Sequence, residues 1–241
     1  IGMSGMAELL FRLGYKISGS DNQTSDRTTY LSQIGIEVSI KHNKNNIKSC
    51  DVVVYSSAIN SNNEEIKAAK KQSIPVIRRA ELLGELLKVK KTSIAVSGTH
   101  GKTTTSSMLG IMLSEAKLDP TLVIGGIVNK FNTNAISGEG DIILVEADEF
   151  DRTFLSLQPT LSIINNLDLE HLDCYENLTD LQSAFIQFAN SVPFYGLVSI
   201  CTDLKNTRDI IKKIKRPIIT FGTRKDASIR ASNIKYSKLN S

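Results

Sequence analysis

Residues 98–103, Gly-Thr-His-Gly-Lys-Thr, combine two glycines, a lysine and a threonine in an order suited to holding phosphate. Small residues let backbone amides turn onto phosphate oxygens, and a following helix adds the partial positive charge of its N-terminus. The lysine reaches the outer phosphates and the hydroxyl ligates a cation. On this reading Gly98, Thr99, His100, Gly101, Lys102, Thr103 and Thr104 form a nucleotide-binding loop, with Lys102 as the charge contact and Thr103 as the cation contact. The loop is shorter than the general GxxxxGK pattern, because Val96 stands where that pattern has its first glycine. The competing account of the same residues is a helix N-terminus capped by Thr99 or Thr103, with Lys102 in solvent.

A bound triphosphate brings a cation, and hard cations need oxygen ligands held in place. The apolar run 141–147 leads straight into Val-Glu-Ala-Asp-Glu-Phe-Asp, which puts Glu146, Asp148, Glu149 and Asp151 at a strand end. Alternation places Glu146 and Asp148 on one side. The run 161–165 ends in Asn-Asn-Leu-Asp-Leu-Glu-His-Leu-Asp, gathering Asn166, Asp168, Glu170, His171 and Asp173. Solvated loop acids and a structural histidine are the plain alternatives. Beside a phosphate loop, the metal reading is the stronger.

These tips need a scaffold. Strands are expected at 15–18, 36–40, 51–55, 74–77, 92–96, 121–124, 141–147, 161–165, 197–200 and 217–221. Helices are expected at 25–34, 63–71, 79–87, 102–115, 178–190 and 207–213. Such alternation predicts an α/β fold with parallel sheets, in which ligands gather at the carboxyl ends of strands. The basic stretch 88–91 has too little apolar content to pack, and marks a joint between units 1–87 and 92–241.

Composition narrows the classes. At 241 residues, 41% hydrophobic and 22% charged, the chain is ordinary globular material, large enough for one large domain or two smaller ones. The net charge of +4 is spread rather than blocked, which gives no support to nucleic-acid binding. The cysteines Cys50, Cys174 and Cys201 lack metal-ligand spacing and fit reduced thiols in a cytoplasmic protein. No apolar run approaches the ~20 residues of a membrane span. The opening, glycine-rich turn chemistry with no strand before it, and the polar close 236–241 suggest a fragment of a longer protein. If glycine precedes Ile1, the opening reads GxGxxG, and Asp21 stands where a ribose-binding acid is expected. Taken alone that points to a nicotinamide oxidoreductase, which would leave the second phosphate site unexplained. A GTPase is disfavoured by the lack of an NKxD base-reading motif.

GTHGKTTT, VEADEFDRTFL and NNLDLEHLD, preceded by GMSGMAELLFRLGYKISGSD and YSSAI, together resemble the Mur ligase family, bacterial enzymes that add amino acids to the peptidoglycan precursor. Within it the likeness is to the alanine-adding members. The resemblance implies ATP-dependent joining of L-alanine to the lactyl carboxylate of UDP-N-acetylmuramate through an acyl phosphate, in the bacterial cytoplasm. It implies a Rossmann-like UDP-sugar domain over 1–87 lacking its first strand, a linker at 88–91 and an incomplete P-loop-type ATP-binding domain over 92–241. The family's third, amino-acid-binding domain and its adenine-contacting HNxxN segment have no counterpart, so this piece alone is expected not to ligate. Lys102 and His171 would be catalytic, with Thr103 and Glu146 on one Mg2+ and His171 on a second. Gly2, Ser4, Gly5, Asp21 and Ser57 would face the uridine diphosphate. The nearest rival within the family is a murein-peptide recycling ligase that attaches a tripeptide to the same sugar nucleotide.

Overall fold

The computed structural model describes residues 2–131, 133–168 and 174–235, the side chain of Asp151 apart. Glu170, His171 and Asp173, like the polar close 236–241, lie outside the described residues. The chain is α/β, as its alternation requires. Its first part runs α1 (Gly2–Arg12), β1 (Ser18–Asp21), α2 (Asp26–Gln33), β2 (Glu37–Ile40), β3 (Val53–Tyr55), α3 (Glu64–Lys71), β4 (Val76–Arg78) and α4 (Arg79–Leu87). Here β1 pairs with β2 and β3 with β4, both parallel, as two separate two-stranded sheets.

The rest builds one eight-stranded sheet. Its elements are β5 (Thr92–Ser97), α5 (Lys102–Glu115), β6 (Thr121–Val128), β7 (Thr133–Ile136), β8 (Ile142–Glu146), β9 (Leu161–Ile164), α6 (Leu178–Ser191), β10 (Leu197–Cys201), α7 (Lys205–Ile211), β11 (Ile218–Gly222) and β12 (Ile229–Arg230). A 3₁₀ segment, Phe150–Ser156, follows β8. The order is β12-β11-β10-β9-β5-β8-β6-β7, parallel throughout except for β6 with β7. From β5 the chain moves to β6 and β8 on one side, then crosses to β9 on the other. The carboxyl end of β5 is therefore where the strand order reverses, the place such sheets bind ligands.

Both faces of the sheet are covered, which is why β5 and β8 read as continuous apolar runs. On one face Ile94, Val96, Leu122, Ile124 and Leu144 pack with Leu109 and Leu113 of α5. On the other Ala95, Val145, Phe154, Phe185 and Phe188 share a core with Met6 and Leu9 of α1 and Leu83 and Leu87 of α4. Each fully buried Val, Leu, Ile, Phe or Met among them contributes about 1.5–3 kcal/mol.

Several expected boundaries move, for one physical reason. Strands expected from Tyr15, Ile36 and Ile74 begin later, because each of these residues closes the preceding helix. Tyr15 N–H donates to Leu10 O, Ile36 N–H to Leu31 O and Ile74 N–H to Ala69 O, each one residue after a left-handed position at Gly14, Gly35 or Ser73. These are paired-bond helix terminations, and at Ile36 the apolar residue past the cap is buried. The opening residues, expected as a turn, start α1. At the fourth such terminus, after α5, Lys117 takes the left-handed position and Leu118 donates to Leu113 O.

Ser73, with φ 57, holds a conformation that glycine adopts without steric strain. Ser73→Gly is therefore expected to raise stability by about 0.5–1 kcal/mol, glycine's unfolded-state entropy offsetting part of the relief. Equilibrium denaturation measures it, and a lowered midpoint would show that the position is unstrained.

The strand expected over 121–124 continues to Val128. Gly125 and Gly126 lie within it, and a register shift carries it into an antiparallel turn onto β7. The glycines are there for space. A Cβ on Gly125 would stand 2.8 Å from the Glu146 carboxylate, and one on Gly126 3.1 Å from Thr103 Cγ2.

Helix α1 is bound to this same hairpin. Gly5 lies so close to Asn134 of β7 that a Cβ would meet its amide at 2.7 Å. Glu8, 1% exposed, accepts from Tyr30 Oη at 2.8 Å and Arg12 Nη2 at 2.9 Å, and lies 3.6 Å from Arg27 and 3.4 Å from Thr133 Oγ1. Arg27 in turn donates to Asn134 Oδ1 at 3.2 Å. A buried carboxylate needs such partners, and here they come from α1, α2 and β7.

Candidate active site

The loop between β5 and α5 is shaped by its glycines. Gly98 has φ 138 and Gly101 φ 75, both in the left-handed region. Gly98 runs against the tip of β9, where an added Cβ would meet Asn165 Cβ at 3.0 Å and Asn166 N at 3.1 Å. Gly101 is the N-cap of α5 and supplies no side-chain cap. Thr105 N–H donates to Gly101 O at 2.9 Å, which opens the helical ladder past the cap. The amides of Lys102, Thr103 and Thr104 thus have no intrahelical acceptor and point out of the helix start, an anion cradle.

The reading with a threonine cap and a solvated lysine does not hold. The Lys102 side chain is 13% exposed, and Nζ donates to the Glu149 carboxylate at 2.7 and 3.0 Å, to Gly98 O at 2.9 Å and to Thr99 O at 3.4 Å. Asp148 Oδ1 stands 3.9 Å away. Glu149 is fully buried, and its carbonyl accepts from Tyr175 Oη at 2.6 Å. Burial, reinforced by the Glu149 charge, pushes the Tyr175 phenol well above its ordinary value. The sequence named Glu149 among the strand-end acids without singling it out; the distinguishing signal, burial, is absent from a run of four neighbouring acids.

Thr103 and Glu146 come together. Thr103 Oγ1 donates to Glu146 Oε1 at 3.0 Å, and the Gly125 amide holds Oε2 at 2.9 Å. A glycine is required where the β6 backbone passes this carboxylate, a role sequence reading missed. Among the described residues no group of three His, Cys, Asp or Glu side chains is arranged to hold a metal by itself.

The tip of β9 fastens the loop from the other side. Asn166 Oδ1 accepts from His100 N–H at 2.7 Å and its Nδ2 donates to His100 O at 3.0 Å. Thr99 Oγ1 donates to Asp168 O at 3.1 Å and accepts from Asp168 N–H at 3.0 Å. Asn165 Nδ2 reaches Thr105 Oγ1 at 3.0 Å. The Thr99 hydroxyl and the His100 amide, expected at a phosphate, are thus engaged by the neighbouring strand tip. Thr104 is exposed beside them. His171, expected three residues beyond Asp168, lies outside the described residues.

Of the residues expected on the sugar side, two come near this centre. Gly2 lines a small cleft of about 70 Å³ with Arg79, Gly125, Glu146 and Asp148. Ser57 lines an adjoining cleft of about 400 Å³ with Arg78, Arg79, Asp148 and Phe150. Ser4, Gly5 and Asp21 line neither. The Ser4 hydroxyl accepts from Arg27 Nε at 3.2 Å, Gly5 serves the packing of α1 on β7, and Asp21 accepts from Gln23 N–H at 3.2 Å at the exposed end of β1.

Residues 96–241, more than half of the chain, match the family model described as the Mur ligase middle domain. The chain belongs to the Mur ligase family. Residues 1–91 match a second model, described as Mur ligase family, catalytic domain. This Mur ligase chain is 49% identical over 237 residues to a UDP-N-acetylmuramate–L-alanine ligase of Syntrophus aciditrophicus, covering 98% of the chain and 49% of that protein. It is 47% identical to the ligase of the same name from Endomicrobium trichonymphae, covering 98% and 52%. The chain spans about half the length of the curated relatives it matches. Among solved structures it is similar to the UDP-N-acetylmuramate–alanine ligase of Thermotoga maritima, at 31% identity and TM-score 0.80, covering 93% of this chain and 50% of that one. It is also similar to the UDP-N-acetylmuramate:L-alanyl-gamma-D-glutamyl-meso-diaminopimelate ligase of Neisseria meningitides, at 27% identity and TM-score 0.83, covering 91% and 74%. No helix of the described residues is long and apolar enough to cross a membrane.

Proposed function

We propose that the chain is the sugar-nucleotide- and ATP-binding part of a ligase that joins L-alanine to the lactyl carboxylate of UDP-N-acetylmuramate in peptidoglycan precursor synthesis. The observation that carries this reading is the convergence of Lys102, the Thr103–Glu146 pair and the Arg79-lined clefts on one end of the sheet. The relatives named for this reaction support the choice of substrates. Residues 1–87 would take the uridine diphosphate side, residues 92–241 the ATP side, and 88–91 would link them. The oxidoreductase reading finds no support among the matches.

A carboxylate is a poor acylating agent because oxide is a poor leaving group. Transfer of the ATP γ-phosphoryl to the lactyl carboxylate makes an acyl phosphate, which the alanine amine attacks with loss of phosphate. In this scheme the α5 amides hold the phosphate chain and Lys102 places a positive charge against the transferring group. Thr103 and Glu146 offer two hard oxygen donors 3.0 Å apart beside the phosphate cradle, a donor set that fits Mg2+, an ion usually bound by one or two carboxylates together with substrate phosphates. Bound there, Mg2+ would supply charge neutralisation. By the family resemblance, His171 would hold a second Mg2+.

The test is phosphate release by the full-length parent with ATP, Mg2+ and UDP-N-acetylmuramate, comparing L-alanine with the L-alanyl-γ-D-glutamyl-meso-diaminopimelate tripeptide as acceptor. Release stimulated by alanine alone is expected. Stimulation by the tripeptide alone would move the protein to the recycling ligases, the second reading, favoured by the TM-score of 0.83 to the Neisseria structure.

A further inference from the structure

The mechanism above uses Lys102 and leaves unused the acid that grips it. Glu149 holds Nζ through both carboxylate oxygens, at 2.7 and 3.0 Å, from a fully buried position. Its backbone is fixed from two directions, by Tyr175 Oη at 2.6 Å and by Arg152 N–H at 3.0 Å, both onto its carbonyl at the head of the 3₁₀ segment. A carboxylate immobilised away from water is strongly destabilised if its cation leaves. Asp148 is no substitute for it, being farther from Nζ, at 3.9 Å, and half exposed.

The other contacts of the lysine are of another kind. Gly98 O at 2.9 Å and Thr99 O at 3.4 Å belong to the loop between β5 and α5, where on the ligase reading the phosphates would lie. An ammonium has three protons to give. The pairing with Glu149 is therefore the lasting contact, and the two carbonyl contacts are the exchangeable ones.

We propose that Glu149 is a positioning residue: it keeps the Lys102 ammonium in place before and during nucleotide binding, and phosphate oxygens replace only the Gly98 and Thr99 carbonyls. This rests on the ligase reading of the site. Because the α5 amides cradle the phosphates independently, Glu149 governs the transfer step more than the affinity for nucleotide.

The isosteric variant Glu149→Gln in the full-length parent tests this. Its kcat for alanine-dependent phosphate release is expected to fall about 10- to 100-fold, with KM for ATP within about threefold of the parent value. Glu149→Asp, which keeps the charge, is expected to recover much of the loss. A thermal cycle reads the pair without any ligand. Lys102→Met should lower the unfolding midpoint by taking the lysine's charge from the buried carboxylate, and adding Glu149→Gln should bring it back up. Undiminished kcat in Glu149→Gln, a KM for ATP that rises in step with the loss of kcat, or a double variant no more stable than Lys102→Met would each overturn the assignment. Absence of phosphate release in the unmutated parent would instead count against the ligase reading, while the thermal cycle would go on testing the pair.

Discussion

Lys102→Ala in the full-length parent is expected to abolish phosphate release with ATP, UDP-N-acetylmuramate and L-alanine. The loss should be about a thousandfold or more, because one preorganised donor at a developing charge is typically worth 10²–10³ and here a full positive charge goes with it. A second effect accompanies it. Glu149, fully buried, loses its cation, and removing one partner from a buried pair costs about 3–5 kcal/mol. The two effects separate in measurement: the kinetic loss is read at a temperature where circular dichroism shows the variant still folded. Turnover at the parental rate under those conditions would remove Lys102 from the chemistry.

Glu146→Ala is expected to lower the same activity about a hundredfold and to raise the Mg2+ concentration needed for half-maximal rate. The side chain accepts from Thr103 Oγ1 and from the Gly125 amide, so it is held at the phosphate cradle by two separate elements. Its removal leaves both donors without their acceptor. The informative measurement is a Mg2+ titration of phosphate release at saturating ATP. A variant with an unchanged titration midpoint would mean that Glu146 orders the β6 backbone and takes no part in holding the ion.

Much of this arrangement is legible in the chain itself, for reasons that can be stated. The β5 loop is legible because Gly98, Gly101 and Lys102 each answer a separate demand: close approach to β9, a left-handed turn, and a charge. Helices α4 and α5 have the expected bounds, since polar or glycine residues precede apolar spacing and nothing after them imitates helix. Tyr15, Ile36 and Ile74 were misleading because an apolar residue past a helix end serves either as a strand start or as a cap, and only the preceding left-handed residue decides. At Ser73 that residue is not glycine, and the signal is missing. The extension of β6 through Gly125 and Gly126 was hidden because paired glycines signal a break unless a neighbour's bulk is known, here the Glu146 carboxylate.

The acids after β8 show the same limit. Glu146, Asp148 and Glu149 are alike in composition and differ in surroundings. One bonds a hydroxyl and an amide, one is half exposed, and one is sealed beneath the loop. Asn166 was readable as part of a polar tip, yet its two bonds to the His100 backbone depend on a strand pairing, β5 with β9, that joins residues far apart in sequence.

The docking of α1 on β7 bears on how the molecule can move. Met6, Leu9, Leu83 and Leu87 belong to the core under the eight-stranded sheet, and Glu8 draws its partners from α1, α2 and β7 together. A swing that lifted the first helix off that hairpin would wet an apolar face and strip a carboxylate of its neighbours in one stroke. Relative motion of the elements is thereby channelled away from this seam, and α1 stays with the eight-stranded sheet.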